Sequence, residues 1–158
     1  QIDELFHLQE IGENVPIGGI EDLSELVIHK ARNAFKLSPS PLLVEDTSLY
    51  FEQWSNLPGP FIKWFIKSLT LEKLVELLSQ GKNFRARAVC VLAFTCDGEK
   101  VHCFEGEVLG EIVSPRGDYG FGWDPIFQPN GSRKTFGEMT LKIGILMERL
   151  LMRGPEIK

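Results

Sequence analysis

The stretch Phe84–Val113 constrains the fold of this chain more than any other. Phe84, Ala86, Ala88, Cys90, Leu92 and Phe94 fall on one side of an extended backbone. Arg85, Arg87, Val89, Val91 and Ala93 fall on the other. Asp97-Gly98 then gives a hairpin turn signal. Val101–Phe104 returns, and Gly106–Val113 runs on as a further strand, so the pattern predicts a meander of three antiparallel strands.

Helical periodicity brackets this meander. Leu23, Leu26, Val27, Ala31, Ala34 and Phe35 make one apolar stripe, which predicts a helix over Asp22–Leu37. Asp22 with Glu25 three residues on is a capping-box pattern. Lys30 lies beside the stripe, where it either reaches a phosphate or lays its stem along apolar surface. Ser38-Pro39-Ser40-Pro41 stops this helix. Ser48–Ser55 is ambiguous between helix and strand. Leu57-Pro58-Gly59-Pro60 reads as a turn into a helix over Phe61–Leu69, where Lys63 and Lys67 share a face at i, i+4. Thr70 caps a further short helix that ends at Gly81. Leu141, Ile145, Leu146, Leu150 and Leu151 mark a last helix. Helices around a mixed sheet place the chain in the α/β or α+β class.

At 158 residues the chain fits one domain. Its net charge of −5 argues against a nucleic-acid backbone or an anionic membrane as the main partner, but not against a single nucleotide. Cys90, Cys96 and Cys103 fall on predicted strands without CxxC spacing. They read as reduced core residues of a cytoplasmic protein. No signal peptide and no apolar run of membrane-spanning length is visible. The sequence begins with Gln1 rather than Met, which leaves room for a preceding segment.

Two stretches carry candidate chemistry. Leu42–Asp46, LLVED, reads as a buried strand that ends on carboxylates, followed by Thr47-Ser48. Open α/β sheets place ligands at strand carboxyl ends. Glu45 and Asp46 are adjacent, so in a strand they face opposite sides and one ligand meets one of them. The plainer reading is a solvated strand end with a capping Asp. The second stretch is Ser114–Pro129, SPRGDYGFGWDPIFQP. In extended chain Phe121 and Trp123 face one side, and Gly122 between them admits a ligand closely. Asp124 precedes Pro125, which biases it to extended geometry. Rings, glycine and carboxylate suit a planar heteroaromatic ring with N–H donors. An aromatic core corner, with Asp124 capping a turn, fits the same residues.

Other chemistries lack their signatures. There is no P-loop, no GxGxxG, no HExxH and no nucleophile elbow. His7, His29 and His102 lack metal-ligand spacing. Carboxylates, scattered lysines and an aromatic-Gly-Asp loop fit a Mg²⁺-dependent nucleotide hydrolase.

LVEDTSLYFEQWSNLPGPFIKWF and SPRGDYGFGWDPIFQPNGSRKTFGEM together resemble the inosine triphosphate pyrophosphatase family, also called the Ham1 family. The similarity runs from about Leu23 to Met139. It implies one elongated α/β domain over residues 1–158, with helices flanking a central twisted mixed sheet. It implies a cytoplasmic Mg²⁺-dependent hydrolase, usually a homodimer. Such an enzyme converts the purine nucleoside triphosphates ITP, dITP and XTP to monophosphate and pyrophosphate, cleansing the nucleotide pool. By the same resemblance Asp46 matches the metal-binding carboxylate and general base. Thr47 matches a substrate-loop position, and Lys30 and Lys63 match phosphate-binding lysines. Phe121, Gly122, Trp123 and Asp124 match the base-recognition loop.

Three family features differ. The family's opening strand and its [TS]-x-N-x-x-K phosphate loop come before the first residue of this sequence. The second metal glutamate, in an E-x-Q-G-like turn, has only Glu13 or Glu21 as candidates near Val15–Gly19. The K-N-x-x-S-H-R-like run of the last helix is replaced by LKIGILMERL, with Lys142 and Arg149 as its basic residues. These differences admit a second reading, a nucleotide-binding or dimer-scaffold relative with impaired catalysis.

Overall fold

The structure is a computed structural model that describes residues 23–139 and 156–157. Asp22, Glu13, Glu21 and the expected last helix lie outside the described residues. The order of elements is α1 (Leu23–Leu37), β1 (Leu42–Phe51), β2 (Leu57–Gly59), α2 (Ile62–Ser68), α3 (Leu71–Ser79), β3 (Arg85–Thr95), β4 (Val101–Ile112), β5 (Phe127–Pro129) and β6 (Glu156–Ile157). Short 3-10 turns cover Glu52–Trp54, Asp124–Ile126 and Phe136–Glu138. The strands form one sheet in the order β2-β1-β3-β4-β5, with β6 also paired to β4. Every described register is antiparallel: Leu49 opposite Gly59, Glu111 opposite Gln128, and His102 opposite Ile157.

The chain divides into two compact units. The first comprises Gln1–Asp46, Cys90–Glu105 and Arg153–Lys158; the second comprises Thr47–Val89 and Gly106–Met152. The boundaries fall inside β1, β3 and β4. In the first unit, α1 buries Leu23, Leu26, Val27, Ala31 and Ala34, as its stripe predicts. Each large aliphatic side chain buried this way contributes about 1.5–3 kcal/mol. Cys90, Val91, Ala93, Thr95, Val101 and Cys103 are buried on the described strands of this unit. Its hairpin closes at Asp97, whose carboxylate accepts the Glu99 and Lys100 N–H groups at 2.9 and 2.8 Å. In the second unit, Leu49, Phe51, Ile62, Leu74, Leu78, Ile126, Phe127 and Phe136 are buried. Thr70 caps α3 by accepting the Lys73 N–H at 3.2 Å.

Several expectations need correction. The strand expected over Leu42–Asp46 continues to Phe51, because Leu57–Gly59 pairs with Leu49–Phe51 rather than serving only as a turn. Backbone pairing there outweighs the polar run Glu45–Ser48. The expected second and third meander strands are one strand, β4, since Gly106 is carried through without a break. Cys96 lies past the end of β3 and is exposed, whereas Cys90 and Cys103 are buried. Among the described residues no helix is long and apolar enough to cross a membrane.

Candidate active site

In the first unit the sequence-predicted residues Lys30 and Asp46 meet. Lys30 is on α1, one turn after the buried Leu26 and Val27, and keeps its head at the helix edge. Its ammonium donates to Oδ2 of Asp46. The side chains retain 28% and 23% of their exposure, so solvent still reaches the pair. Asp46 lies inside β1, not at a strand end, and its neighbour Glu45 is exposed. Alternation along the strand separates the two carboxylates. Glu45 accepts a weak hydrogen bond from the buried Cys90 thiol at 3.8 Å.

Thr47, Lys63 and the loop Phe121–Asp124 belong to the second unit. Thr47 follows Asp46 in β1 and is half-buried. Lys63 is exposed on α2, as is Lys67, whose ammonium lies 5.5 Å from the centre of the Trp64 ring. The loop departs from the extended geometry read from sequence. Gly120 and Gly122 have φ of +83° and +56°, so the chain reverses twice around Phe121. Phe121 is 53% exposed, while Trp123 is buried. The two rings therefore do not flank one slot. Trp123 packs edge-on against Phe127, with ring centres 5.7 Å apart, and lies 6.2 Å from Phe136. Such aromatic pairs add about 0.5–1.5 kcal/mol beyond their area.

Asp124 is fully buried and begins a 3-10 turn despite the following proline. Its Oδ2 accepts the Phe121 N–H at 2.7 Å. The carboxylate thus closes the turn that carries Phe121. A Cβ on Gly120 would lie 2.0 Å from that same Oδ2, so this close approach requires glycine. A Cβ on Gly122 would lie 3.8 Å from Ile66 Cδ1 of α2. The helix that bears Lys63 therefore borders the loop that bears Phe121 and Asp124.

A further cluster braces this loop, and the sequence reading did not single it out. Glu138 Oε2 accepts from the Thr135 N–H at 2.9 Å and from Arg116 Nε at 3.2 Å. The Thr135 N–H first, and then Arg116, hold the Glu138 carboxyl below its ordinary value. Thr135-Phe136-Gly137-Glu138 is a T-x-x-E capping box that was legible in the sequence. Arg116 has no comparable local signal, because its partners lie far along the chain.

Asp46 offers a hard, partly buried oxygen donor of the kind Mg²⁺ takes. Among the described residues no group of three or more His, Cys, Asp or Glu is placed to hold a metal. Mg²⁺ in nucleotide sites is commonly held through one or two carboxylates plus the substrate phosphates, so Asp46 fits as one ligand. A cavity of about 520 Å³ in the second unit, lined by Tyr50, Asn56, Arg85, Arg87 and Leu109, contains none of the predicted site residues.

The sequence profile of the Ham1 family matches residues 2–144. An inosine triphosphate pyrophosphatase of Scheffersomyces stipitis is 44% identical over 123 residues, covering 77% of this chain and 63% of that protein. One from Schizosaccharomyces pombe is 41% identical over 119 residues, covering 75% of this chain and 63% of that protein. The chain thus spans about three fifths of the length of the curated relatives it matches. Among solved structures, a HAM1 protein from Coxiella burnetii superposes with a TM-score of 0.75 at 26% identity, covering 96% of this chain and 88% of that one. A nucleoside-triphosphatase / dITP/XTP pyrophosphatase from Mycobacterium abscessus gives a TM-score of 0.67 at 25% identity, covering 89% and 78%.

Proposed function

This chain belongs to the Ham1 family, and from that premise we propose that it hydrolyses ITP, dITP and XTP to the monophosphate and pyrophosphate. The observation that carries the reading is the approach of Ile66 to Gly122. It brings a helix with an exposed lysine against a loop with an exposed aromatic ring and a buried carboxylate. Phosphate binding and purine recognition are the chemistry such neighbours suit.

In this reading Asp46 orients a water and takes its proton. The water oxygen adds to the α-phosphorus. The bond from that phosphorus to the bridging oxygen breaks, and pyrophosphate leaves with the electron pair. The proton passes from Asp46 to solvent. Lys30, already beside Asp46, offsets negative charge on the phosphates, and a phosphate role for Lys63 rests on the family resemblance. The substrate role of Thr47 rests on the family resemblance alone, since Asp46 and Thr47 are adjacent in β1 and face opposite sides. Mg²⁺, held in part by Asp46, supplies further charge neutralisation when bound. Mg²⁺ dependence, a homodimer and a cytoplasmic address rest on the family resemblance.

Base choice falls to Phe121–Asp124. Hypoxanthine and xanthine carry a donor at N1–H, whereas adenine has a lone pair there. A carboxylate accepts and does not donate at neutral pH, so Asp124 suits the first two. Asp124 is fully buried, so the base reaches it only when the Phe121 turn swings open. Phe121 then stacks on the purine. The test is pyrophosphate release from ITP, XTP and ATP, with and without Mg²⁺. The reading expects release from ITP and XTP well above ATP and only with the cation. Release from ATP at the same rate, or none from any triphosphate, contradicts it.

A further inference from the structure

Arg116 of the Ser114–Pro129 loop ties several segments together at once. Its Nε donates to Glu138 Oε2 at 3.2 Å. One terminal nitrogen donates to Gln128 Oε1 at 2.6 Å and to the Arg133 carbonyl at 3.2 Å. Its backbone is held as well. The Arg116 N–H donates to the Pro125 carbonyl at 2.9 Å, and its carbonyl accepts from Thr135 Oγ1 at 2.8 Å. Immediately after it, Gly117 has φ of +81°, and a Cβ there would lie 2.1 Å from the Gly137 carbonyl oxygen. That same carbonyl accepts the Tyr119 N–H at 2.9 Å. The start of the loop is therefore clamped to residues 125–138, and its far end is buried through Trp123 and Asp124. The run from Arg116 to Gly122 is exposed throughout.

A loop held at both ends positions its middle. We propose that Arg116 is a positioning residue for purine recognition: through its grip on Glu138, Gln128 and the Arg133 carbonyl it fixes the loop that presents Phe121 and Asp124, and so sets discrimination between purine bases. This rests on the functional reading above. In this role Arg116 acts through the loop that it holds. Its planar fork serves several acceptors at once, which a lysine ammonium on a flexible stem does not reproduce. Glu138 matters in the same way, because one carboxylate oxygen joins Arg116 to the Thr135 cap.

The experiment uses the full chain with Arg116→Ala, Arg116→Lys and Glu138→Gln. Two readouts are taken: kcat and KM on ITP and ATP, and hydrogen exchange at the Tyr119 and Phe121 amides. Loosening the loop should raise KM for ITP about tenfold in Arg116→Ala, leave kcat within about threefold, and narrow the ITP/ATP ratio. Arg116→Lys and Glu138→Gln should fall between Arg116→Ala and wild type. Exchange at Tyr119 and Phe121 should quicken in the same order while β3 amides keep their protection. If Arg116→Ala does not fold, the two milder variants carry the same test. An unchanged ITP/ATP ratio, or kcat and KM altered alike for both nucleotides, overturns the role in base choice and leaves Arg116 a stability residue. Unchanged exchange at Tyr119 overturns the clamp itself. A wild-type chain without turnover, but with Arg116-dependent exchange, would instead overturn the functional reading while the clamp stands.

Discussion

Asp46 and Asp124 are both carboxylates of the candidate site, yet they are held in opposite ways. Asp46 lies on a regular strand, keeps 23% of its side-chain exposure, and meets a lysine side chain. Asp124 lies on a glycine-rich loop, is fully buried, and accepts a backbone N–H of its own turn. A partly buried ion pair that solvent still reaches can exchange its lysine for water or a cation. A buried carboxylate bonded to backbone gives up that partner only at a higher cost, because breaking the bond strands a charge until another donor takes its place. The first arrangement suits a group that must take and release protons and ligands at each turnover. The second suits a group that reads a shape and returns to the same place.

The contrast is sharpest for two substitutions that should separate activity from stability. Asp46→Asn should cost at least about 10³-fold in kcat with ITP while moving the denaturation midpoint less than Trp123→Ala does, because solvent still reaches its pair with Lys30. Rate assays beside a urea titration check this. Collapse of the fold would make Asp46 a structural residue. Trp123→Ala should act the other way round. Removing a buried ring that packs on Phe127 and Phe136 should cost about 3–5 kcal/mol of stability, read from the same titration. A loss below about 1 kcal/mol would mean that Trp123 is not part of the core.

A smaller effect is expected at Gly120. Alanine there must adopt φ of +83° and meets Asp124 Oδ2 at 2.0 Å. Gly120→Ala should destabilise by about 1–3 kcal/mol and speed exchange at the Phe121 amide. The mildest expected effect is on pH dependence. The Glu138 carboxyl is held below its ordinary value of 4.5, first by the Thr135 N–H and then by Arg116. A depressed folded value stabilises above about pH 4.5, and that stabilisation is lost as pH falls through the folded value. The difference in melting temperature between wild type and Glu138→Gln should therefore be steady near neutrality and shrink in acid. A constant difference down to pH 3 would contradict the assignment.

The same contrast explains what the sequence could and could not reveal. The α1 stripe, the Asp97-Gly98 turn and the Thr70 cap are local patterns, and the structure places each as read. β1 runs past Asp46 because its partner, Leu57–Gly59, lies beyond an intervening 3-10 turn and looked like a turn itself. Gly106 looked like a break and is not one, because pairing on both sides carries the strand through it. In the site, Lys30 was legible as a residue at the edge of an apolar stripe, but its pairing with Asp46 needed the tertiary fold. The Phe121–Trp123 spacing misled for a definite reason: two glycines with positive φ cancel the two-residue alternation on which the reading depended. The T-x-x-E box of Thr135 and Glu138 was readable, whereas the Arg116 contacts with Gln128 and Arg133 were not.

The division of labour is tested most directly by kcat/KM for ITP and ATP in wild type and Asp124→Asn, measured with saturating Mg²⁺. Asparagine keeps the shape of the side chain and offers an amide N–H that adenine N1 accepts. The account predicts that Asp124→Asn lowers kcat/KM for ITP, raises it for ATP, and narrows the ITP/ATP ratio by about 10²-fold or more. An ITP/ATP ratio identical to wild type would contradict it and confine Asp124 to closing the Phe121 turn.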